Sequence, residues 1–222
     1  PAAFEVTYGD DVARAFGRLA MDTHKGNMGR IMVVGGSRSY PGAPMLTGMG
    51  ALRTGGGLVS VAFPASMAPV MRVPANALIL HAIADEGSGI HQQAQSLGEL
   101  AAEQDILVLG PGLSREPSTM TVVRDLLQLE IPMVLDADGL YALNDGIEMF
   151  PRSALTVLTP HPGEMARLLK AVGMDNLLEK ERLMQASRVA TKLKVWVVLK
   201  GQGTVVAGPS GELYINSSGS PA

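Results

Sequence analysis

Ile31-Met32-Val33-Val34-Gly35-Gly36-Ser37-Arg38-Ser39-Tyr40-Pro41-Gly42-Ala43-Pro44 joins an apolar run to a glycine turn, and the turn to a segment of helical composition. The run shows no polar alternation, which is the pattern of a strand buried on both faces. Residues 44–53 continue it in Ala, Leu, Met and Gly. A strand, a glycine turn and a helix in that order open a βαβ unit.

The pattern recurs along the chain. Apolar runs at 31–34, 58–63, 77–81, 106–109, 133–135, 155–158 and 195–199 predict strands. Segments of helical period lie at 44–53, 90–102, 118–129, 163–172 and 176–193. In 90–102, Ile90, Ala94, Leu97 and Ala101 share a face, and 118–129 opens on Ser118, read as a cap after Pro117. The alternation predicts an α/β fold with a mainly parallel sheet, helices on both sides and right-handed crossovers. At the tail, 204–207 and 212–215 flank Gly208-Pro209-Ser210-Gly211, a hairpin signal that adds an antiparallel edge. No linker or composition step divides the chain. The expectation is one domain over 23–222, preceded by a leading arm or helix over 1–22.

Composition narrows the function. Hydrophobic residues make up 46% of the 222 and charged residues only 18%, which excludes a disordered chain. The 26 glycines, about twelve per cent against a typical seven or so, follow no period, so no collagen-like repeat exists. A net charge of −3 argues against a nucleic-acid binder. No eighteen-residue apolar run predicts a membrane span, and no basic-then-apolar stretch opens these residues, so no signal segment is expected. With no cysteine, disulfides and Cys-based zinc sites are impossible, and a cytoplasmic enzyme is expected.

In open parallel sheets ligands bind beyond the carboxyl ends of the strands, so the residues directly after each strand carry the information. After 31–34 the glycine turn and helix start can bring backbone N–H groups to a phosphate, or simply make a tight βα turn. It is neither a P-loop nor a Rossmann fingerprint, since the spacing of neither occurs. After 106–109 stands Gly110-Pro111-Gly112-Leu113, fit for close backbone approach to a ligand or for a plain turn. After 133–135 stands Asp136-Ala137-Asp138-Gly139. Two carboxylates there can meet Mg²⁺ or a ribose, but an Asp-capped turn opening a short helix at 140–143 is the favoured reading. After 155–158 stands Thr159-Pro160-His161-Pro162-Gly163-Glu164, which holds a histidine in a stiff turn ahead of a helix. His24, His81 and His91 share no metal-ligand spacing with it. After 195–199 stands Lys200-Gly201-Gln202-Gly203-Thr204, where the lysine either reaches a phosphate or snorkels at the surface. No G-x-S-x-G elbow exists for a hydrolase serine.

The order of these motifs is more specific than any one of them. Lys25-Gly26, Gly29-Arg30, Val33-Val34-Gly35-Gly36-Ser37, Tyr40-Pro41-Gly42-Ala43-Pro44 and Ala51-Leu52-Arg53-Thr54-Gly55-Gly56-Gly57-Leu58-Val59 form a first block. Gly110-Pro111-Gly112-Leu113, Leu135-Asp136-Ala137-Asp138-Gly139-Leu140, Leu158-Thr159-Pro160-His161-Pro162-Gly163-Glu164 and Val198-Leu199-Lys200-Gly201 come after it. From about Thr23 to Asn216 this succession resembles the ADP/ATP-dependent NAD(P)H-hydrate dehydratases, the carbohydrate-kinase-like branch of the ribokinase-like superfamily.

The resemblance implies a ribokinase-like three-layer αβα sandwich and a metabolite-repair enzyme. Such enzymes use ADP or ATP, with Mg²⁺, to phosphorylate the ring hydroxyl of the S-epimer of hydrated NADH or NADPH. Phosphate then leaves and the cofactor is restored. By motif position Gly42, Ala43, Gly112, His161 and Glu164 would meet the hydrated dinucleotide. Lys200, Gly201, Gln202, Gly203 and Thr204 would hold the adenine nucleotide. Asp136 and Asp138 are weaker candidates for water, Mg²⁺ or ribose, and no metal ligand is assigned. The resemblance also implies a homo-oligomer, and an NAD(P)H-hydrate epimerase fused to the chain or acting with it. Residues 1–22 are too few to be that epimerase.

One departure stands out. After the position of Asn216 the family continues into a Gly-x-Gly-Asp turn and a helix, which supply an anion hole and the aspartate proposed as catalytic base. No Gly-x-Gly-Asp occurs in these 222 residues. The expectation is a domain incomplete at its C-terminus, whose named residues bind and whose catalytic residue is unknown. Two alternatives stay open: a ribokinase-like kinase for a small vitamin precursor, and a non-catalytic nucleotide-binding fragment.

Overall fold

The structure, a computed structural model, describes residues 4–15, 24–71, 77–85, 90 and 94–218. In chain order these form β1 (Glu5–Thr7), α1 (Gly9–Ala15), β2 (Arg30–Val34), α2 (Gly42–Arg53), β3 (Leu58–Pro64), α3 (Ala68–Met71) and β4 (Ile79–Ile83). Next come α4 (Ala94–Ala102), β5 (Ile106–Leu109), α5 (Pro117–Leu127), β6 (Met133–Leu135), α6 (Asp138–Tyr141), β7 (Thr156–Leu158) and α7 (Pro162–Ala171). The last elements are α8 (Arg182–Leu193), β8 (Trp196–Leu199), β9 (Thr204–Ala207) and β10 (Leu213–Asn216). None of the described helices is long and apolar enough to cross a membrane.

The chain forms two compact units, Thr23–Ala142 and a second made of Pro1–Asp22 with Leu143–Ala222. In the first, the strand order is β4-β3-β2-β5-β6 and every pairing is parallel. The reason is in the sequence of β2, β3 and β5, whose apolar residues leave no face for water. Val33, Met45, Val59, Val61, Phe63, Met67, Met71 and Leu78 make one buried cluster over this sheet. By area bookkeeping, burying each such side chain contributes roughly 1.5–3 kcal/mol before the opposing conformational entropy is counted.

The register positions the ligand-bearing turns. Val34 pairs with Leu109, and Leu109 with Leu135, so β2, β5 and β6 end level with one another. Their three turns therefore stand side by side. The chain also leaves β2 in one direction through β3 and β4, then returns to its other side at β5. That reversal is the topological switch point at which open α/β sheets bind ligands.

In the second unit the order is β1-β10-β9-β8-β7. β7 and β8 run parallel, while β8–β9 and β9–β10 are antiparallel, which is the hairpin predicted at the tail. β1 adds a parallel strand on β10, within the 1–22 segment for which the sequence predicts only an arm or helix. Helices α7 and α8 bury Met165, Leu168, Leu169, Ala186, Val189, Ala190 and Leu193.

Four local expectations are corrected. Ile90 does not open a helix; it is fully buried and bridges to Asp85, and the described helix starts at Ala94. The predicted strand at 77–81 lies at 79–83, since Leu80 and Ile83 carry the run onward. The helix predicted over 176–193 is interrupted, and α8 starts only at Arg182. There the Gln185 amide donates to the carbonyls of Leu177, Leu178 and Lys180 at 3.0, 3.0 and 3.1 Å, so those carbonyls do not need a helical ladder. Finally, α5 begins at Pro117 behind Glu116, with no Ser118 cap, because proline is preorganised for the first helical position.

Candidate functional site

The level strand ends of the Thr23–Ala142 unit enclose a cavity of about 740 Å³. Its walls come from the β2–α2 turn (Tyr40, Ala43, Leu46, Thr47), the β5–α5 turn (Pro111, Gly112, Ser114, Arg115) and the β6–α6 turn (Asp136, Ala137, Asp138). The turns are stitched by backbone hydrogen bonds: Gly36 N–H to the Pro111 carbonyl at 2.9 Å, Gly110 N–H to Val34 at 3.1 Å, and Asp136 N–H to Leu109 at 3.0 Å. Gly110 is what lets the last two turns close. Its φ is +120°, and a Cβ there would overlap the Asp136 carbonyl oxygen and the Gly139 amide.

Three features mark this cavity as more than a gap in packing. Ala137, a non-glycine residue, holds φ +48° and ψ −114°, a conformation costing on the order of 1–3 kcal/mol. Among the described residues the buried Ser114 hydroxyl has no hydrogen-bond partner. Leu46 and Tyr40 are apolar lining groups left exposed. An apolar wall with a few convergent polar groups is the ordinary make-up of a small-molecule site. At one end α2 begins behind Pro41, which makes no side-chain capping bond, so its first-turn amides keep their capacity for an acceptor.

The two aspartates do different things. Asp138 accepts the Ser114 N–H at 3.1 Å and the Arg115 Nε–H at 2.9 Å. Arg115 also lies over the Tyr141 ring, 4.6 Å from its centroid. As an ion pair with a half-exposed arginine this is worth under about 1 kcal/mol; its use is to fix the guanidinium at the cavity wall. Asp138 is the first residue of α6, whose N-cap is Ala137 with no side-chain bond. The favoured Asp-capped helix over 140–143 is thus corrected: the strained Ala137 turn starts the helix instead. Asp136 lines the cavity beside it. Among the described residues no group of three or more His, Asp or Glu is placed to hold a metal ion.

The second unit carries its own cluster. His161 is the N-cap of α7, with Nδ1 accepting the N–H groups of Gly163 at 3.0 Å and Glu164 at 3.3 Å. Glu164 answers by accepting the His161 N–H at 2.8 Å. This is a capping box in which histidine replaces the usual serine or threonine. An accepting Nδ1 assigns the proton to Nε2, which lies 3.3 Å from the Glu164 carboxylate. Glu164 is buried, whereas the His161 side chain is half exposed. The sequence signal was there to read, as His-x-x-Glu just ahead of an apolar helix.

Lys200 follows β8, and its N–H donates to the Pro160 carbonyl at 2.8 Å, which brings the Lys200–Thr204 turn against His161's own turn. Its ammonium lies 4.0 Å from Glu164. Thr204 closes the turn with a hydroxyl bond to the Gly201 carbonyl at 2.9 Å.

The residues named from sequence thus fall into two groups. Ala43, Gly112, Asp136 and Asp138 line one cavity, with Gly42 at the exposed start of α2 beside it. His161, Glu164, Lys200, Gly201, Gln202, Gly203 and Thr204 belong to the other unit. Leu46, Thr47, Ser114 and Arg115 were missed as cavity residues, because no motif distinguishes them from ordinary turn and helix positions; Tyr40 stood inside a quoted motif but was not named for the site.

Comparison with known proteins shows the family and the fold. A protein-family model for carbohydrate-kinase-like NAD(P)H-hydrate dehydratases matches residues 31–222. The bifunctional NAD(P)H-hydrate repair enzyme Nnr of Thermofilum pendens is 42% identical over 205 residues, covering 90% of this chain and 38% of that protein. The ATP-dependent (S)-NAD(P)H-hydrate dehydratase of Caenorhabditis elegans is 31% identical over 214 residues, covering 92% of this chain and 67% of its own length. The chain therefore spans about two fifths of the bifunctional relatives it matches. Among solved structures, a ribokinase-like superfamily protein of Enterococcus faecalis aligns with TM-score 0.82 at 21% identity, over 98% of this chain and 73% of that one. The ADP/ATP-dependent NAD(P)H-hydrate dehydratase of Bacillus subtilis, co-crystallised with ATP/Mg²⁺, aligns with TM-score 0.76 at 26% identity, over 98% of this chain and 74% of that one. The fold is accordingly ribokinase-like, and the chain belongs to the NAD(P)H-hydrate dehydratase family.

Proposed function

We propose that this chain forms the binding body of an activity that dehydrates the S-epimer of hydrated NADH or NADPH, with ADP or ATP as co-substrate. The observation that carries the reading is the cavity at the switch point, formed by turns 40–43, 110–112 and 136–138, which hold motifs on which the chain resembles the family. Its apolar wall suits a nicotinamide ring, and its glycine and first-turn amides suit the polar parts of a dinucleotide. Ala43 and Gly112 form that wall, and Gly42 opens the helix beside it. His161 and Glu164, which the resemblance implies for the substrate, and Lys200–Thr204, which it implies for the adenine nucleotide, belong to the second unit. Phosphoryl transfer asks chiefly for positioning and charge stabilisation, which backbone amides and one ammonium supply.

Mg²⁺ belongs to the same proposal. With Asp138 committed to Ser114 and Arg115, the donor set fits an ion carried by nucleotide phosphates and water, with one or two carboxylates at most. The residue that removes the proton is not among those named. The resemblance implies the aspartate of a Gly-x-Gly-Asp turn for that step, and no such turn occurs in these 222 residues. An NAD(P)H-hydrate epimerase, which the resemblance implies, would supply the S-epimer, and the relatives' description as bifunctional repair enzymes fits a second activity beside this one.

The two roles of His161 can be separated. His161→Ala loses the cap and is expected to cost about 1 kcal/mol of stability. His161→Asn keeps a capping side chain and is expected to hold stability within about 0.5 kcal/mol. Both variants should bind hydrated NADH roughly tenfold more weakly in calorimetric titration, about the loss of one hydrogen bond. Wild-type affinity in a folded His161→Asn would leave His161 only its structural role.

A further inference from the structure

Arg182 is the first residue of α8, and its place in the sequence suggests an ordinary surface cation. In the folded chain its guanidinium lies against the turn between β8 and β9. Nη1 donates to the carbonyls of Gln202 at 2.7 Å and Gly203 at 3.3 Å. Nη2 donates to those of Leu199 at 2.8 Å and Lys200 at 3.1 Å. Four peptide oxygens of one short turn converge on one planar cation. Meanwhile Nε is buried with no partner among the described residues, a cost that accompanies the fork.

Peptide geometry turns that contact into a consequence for the other side of the loop. A trans peptide holds its C=O and the following N–H in opposite directions. Aiming the oxygens of 199, 200, 202 and 203 at Arg182 aims the N–H groups of 200, 201, 203 and 204 away from it. The Lys200 N–H is taken by Pro160. Those of Gly201 and Gly203 have no acceptor among the described residues. Outward amides gathered on one turn in this way can hold an anion as a nest does, and a cation behind the aligned dipoles raises the potential at its mouth. Gly201 fits the arrangement: its φ is +141°, and a Cβ would stand 3.0 Å from Arg182 Nη2.

We propose that Arg182 is the positioning residue of a phosphate nest, setting the turn so that the Gly201 and Gly203 amides receive phosphate groups of a nucleoside di- or triphosphate. Arg182 itself touches no phosphate. The inference rests on the reading of Lys200–Thr204 as the nucleotide site.

Calorimetric titration with ADP, and separately with S-hydrated NADH, tests it on wild type, Arg182→Lys and Gly201→Ala, each checked by thermal unfolding. Lysine keeps the charge but cannot make the fork, so ADP affinity should fall roughly tenfold while hydrated-NADH affinity holds. Gly201→Ala should lose ADP in the same way with Arg182 intact, because it pushes the turn off the guanidinium. A folded Arg182→Lys with wild-type ADP affinity would overturn the proposal. So would an equal loss of both ligands, which is what a merely structural arginine would give. Should Arg182→Lys fail to fold, Gly201→Ala decides, and wild-type ADP binding by it overturns the proposal. A wild-type chain that binds no ADP is a different failure, and it removes the nucleotide reading of the turn itself.

Discussion

Gly110→Ala is expected to cost about 4 kcal/mol of stability, the combined effect of a strained positive φ and an overpacked contact, and to abolish binding of the hydrated dinucleotide. The contact is with backbone, not with a side chain that can swing aside: the new Cβ would overlap the Asp136 carbonyl oxygen and the Gly139 amide. Relief requires the β5–α5 and β6–α6 turns to separate, and those turns carry Gly112, Ser114, Arg115, Asp136 and Asp138 of the cavity. Denaturant unfolding and ligand titration on the same sample read both effects. Gly98→Ala is the control, since a Cβ at that helical glycine meets nothing within 4 Å. It should leave binding untouched and raise stability slightly, because alanine favours helix over glycine. If Gly110→Ala bound the hydrated dinucleotide as wild type does, the cavity would not be its site.

Lys200→Ala is expected to weaken ADP binding by roughly tenfold to a hundredfold, the range of one charge-assisted hydrogen bond to phosphate. Stability should change little. The lysine side chain is 42% exposed and 4.0 Å from Glu164, so the pair is screened and loosely made. Glu164, though buried, retains the His161 N–H and imidazole as partners when the ammonium is removed. Titration of ADP at two salt concentrations checks the origin of the effect, because the wild-type advantage should shrink as salt rises. Equal affinities for wild type and Lys200→Ala would return the lysine to the role of a snorkelling surface residue.

Much of this was legible from one-dimensional pattern. The strands at 106–109 and 133–135 were predicted to the residue, because a short apolar run bounded by polar and glycine residues has only one way to lie in a covered parallel sheet. The turns after them came with the strands, and with the turns the cavity positions Gly112, Asp136 and Asp138, as Ala43 came with the turn after 31–34. The features that escaped depend on partners distant in sequence. Ile90 reads as helical by spacing, but its partner is Asp85. Leu177 and Leu178 share the helical spacing of α8, yet the Gln185 amide takes their carbonyls out of the helix. β1 has only Glu5-Val6-Thr7 to announce it, and its pairing partner β10 lies about two hundred residues on. Arg182 and Arg115 carry no local signal at all, since their work is defined by the carbonyls and carboxylate they meet across 17–23 positions. His161 is an intermediate case. The sequence marked it for function, and the structure adds a capping duty that the His-x-x-Glu spacing already contained.

The reaction itself provides the most direct test. A version of the chain extended through the Gly-x-Gly-Asp region is incubated with S-hydrated NADH, Mg²⁺ and ADP, and the near-ultraviolet absorbance of the reduced nicotinamide is monitored beside release of inorganic phosphate. The account predicts that absorbance returns only when the nucleotide is present, with one phosphate released for each NADH restored. Absence of recovery by the extended chain, or transfer of the phosphoryl group to a small vitamin-precursor alcohol instead, would contradict it.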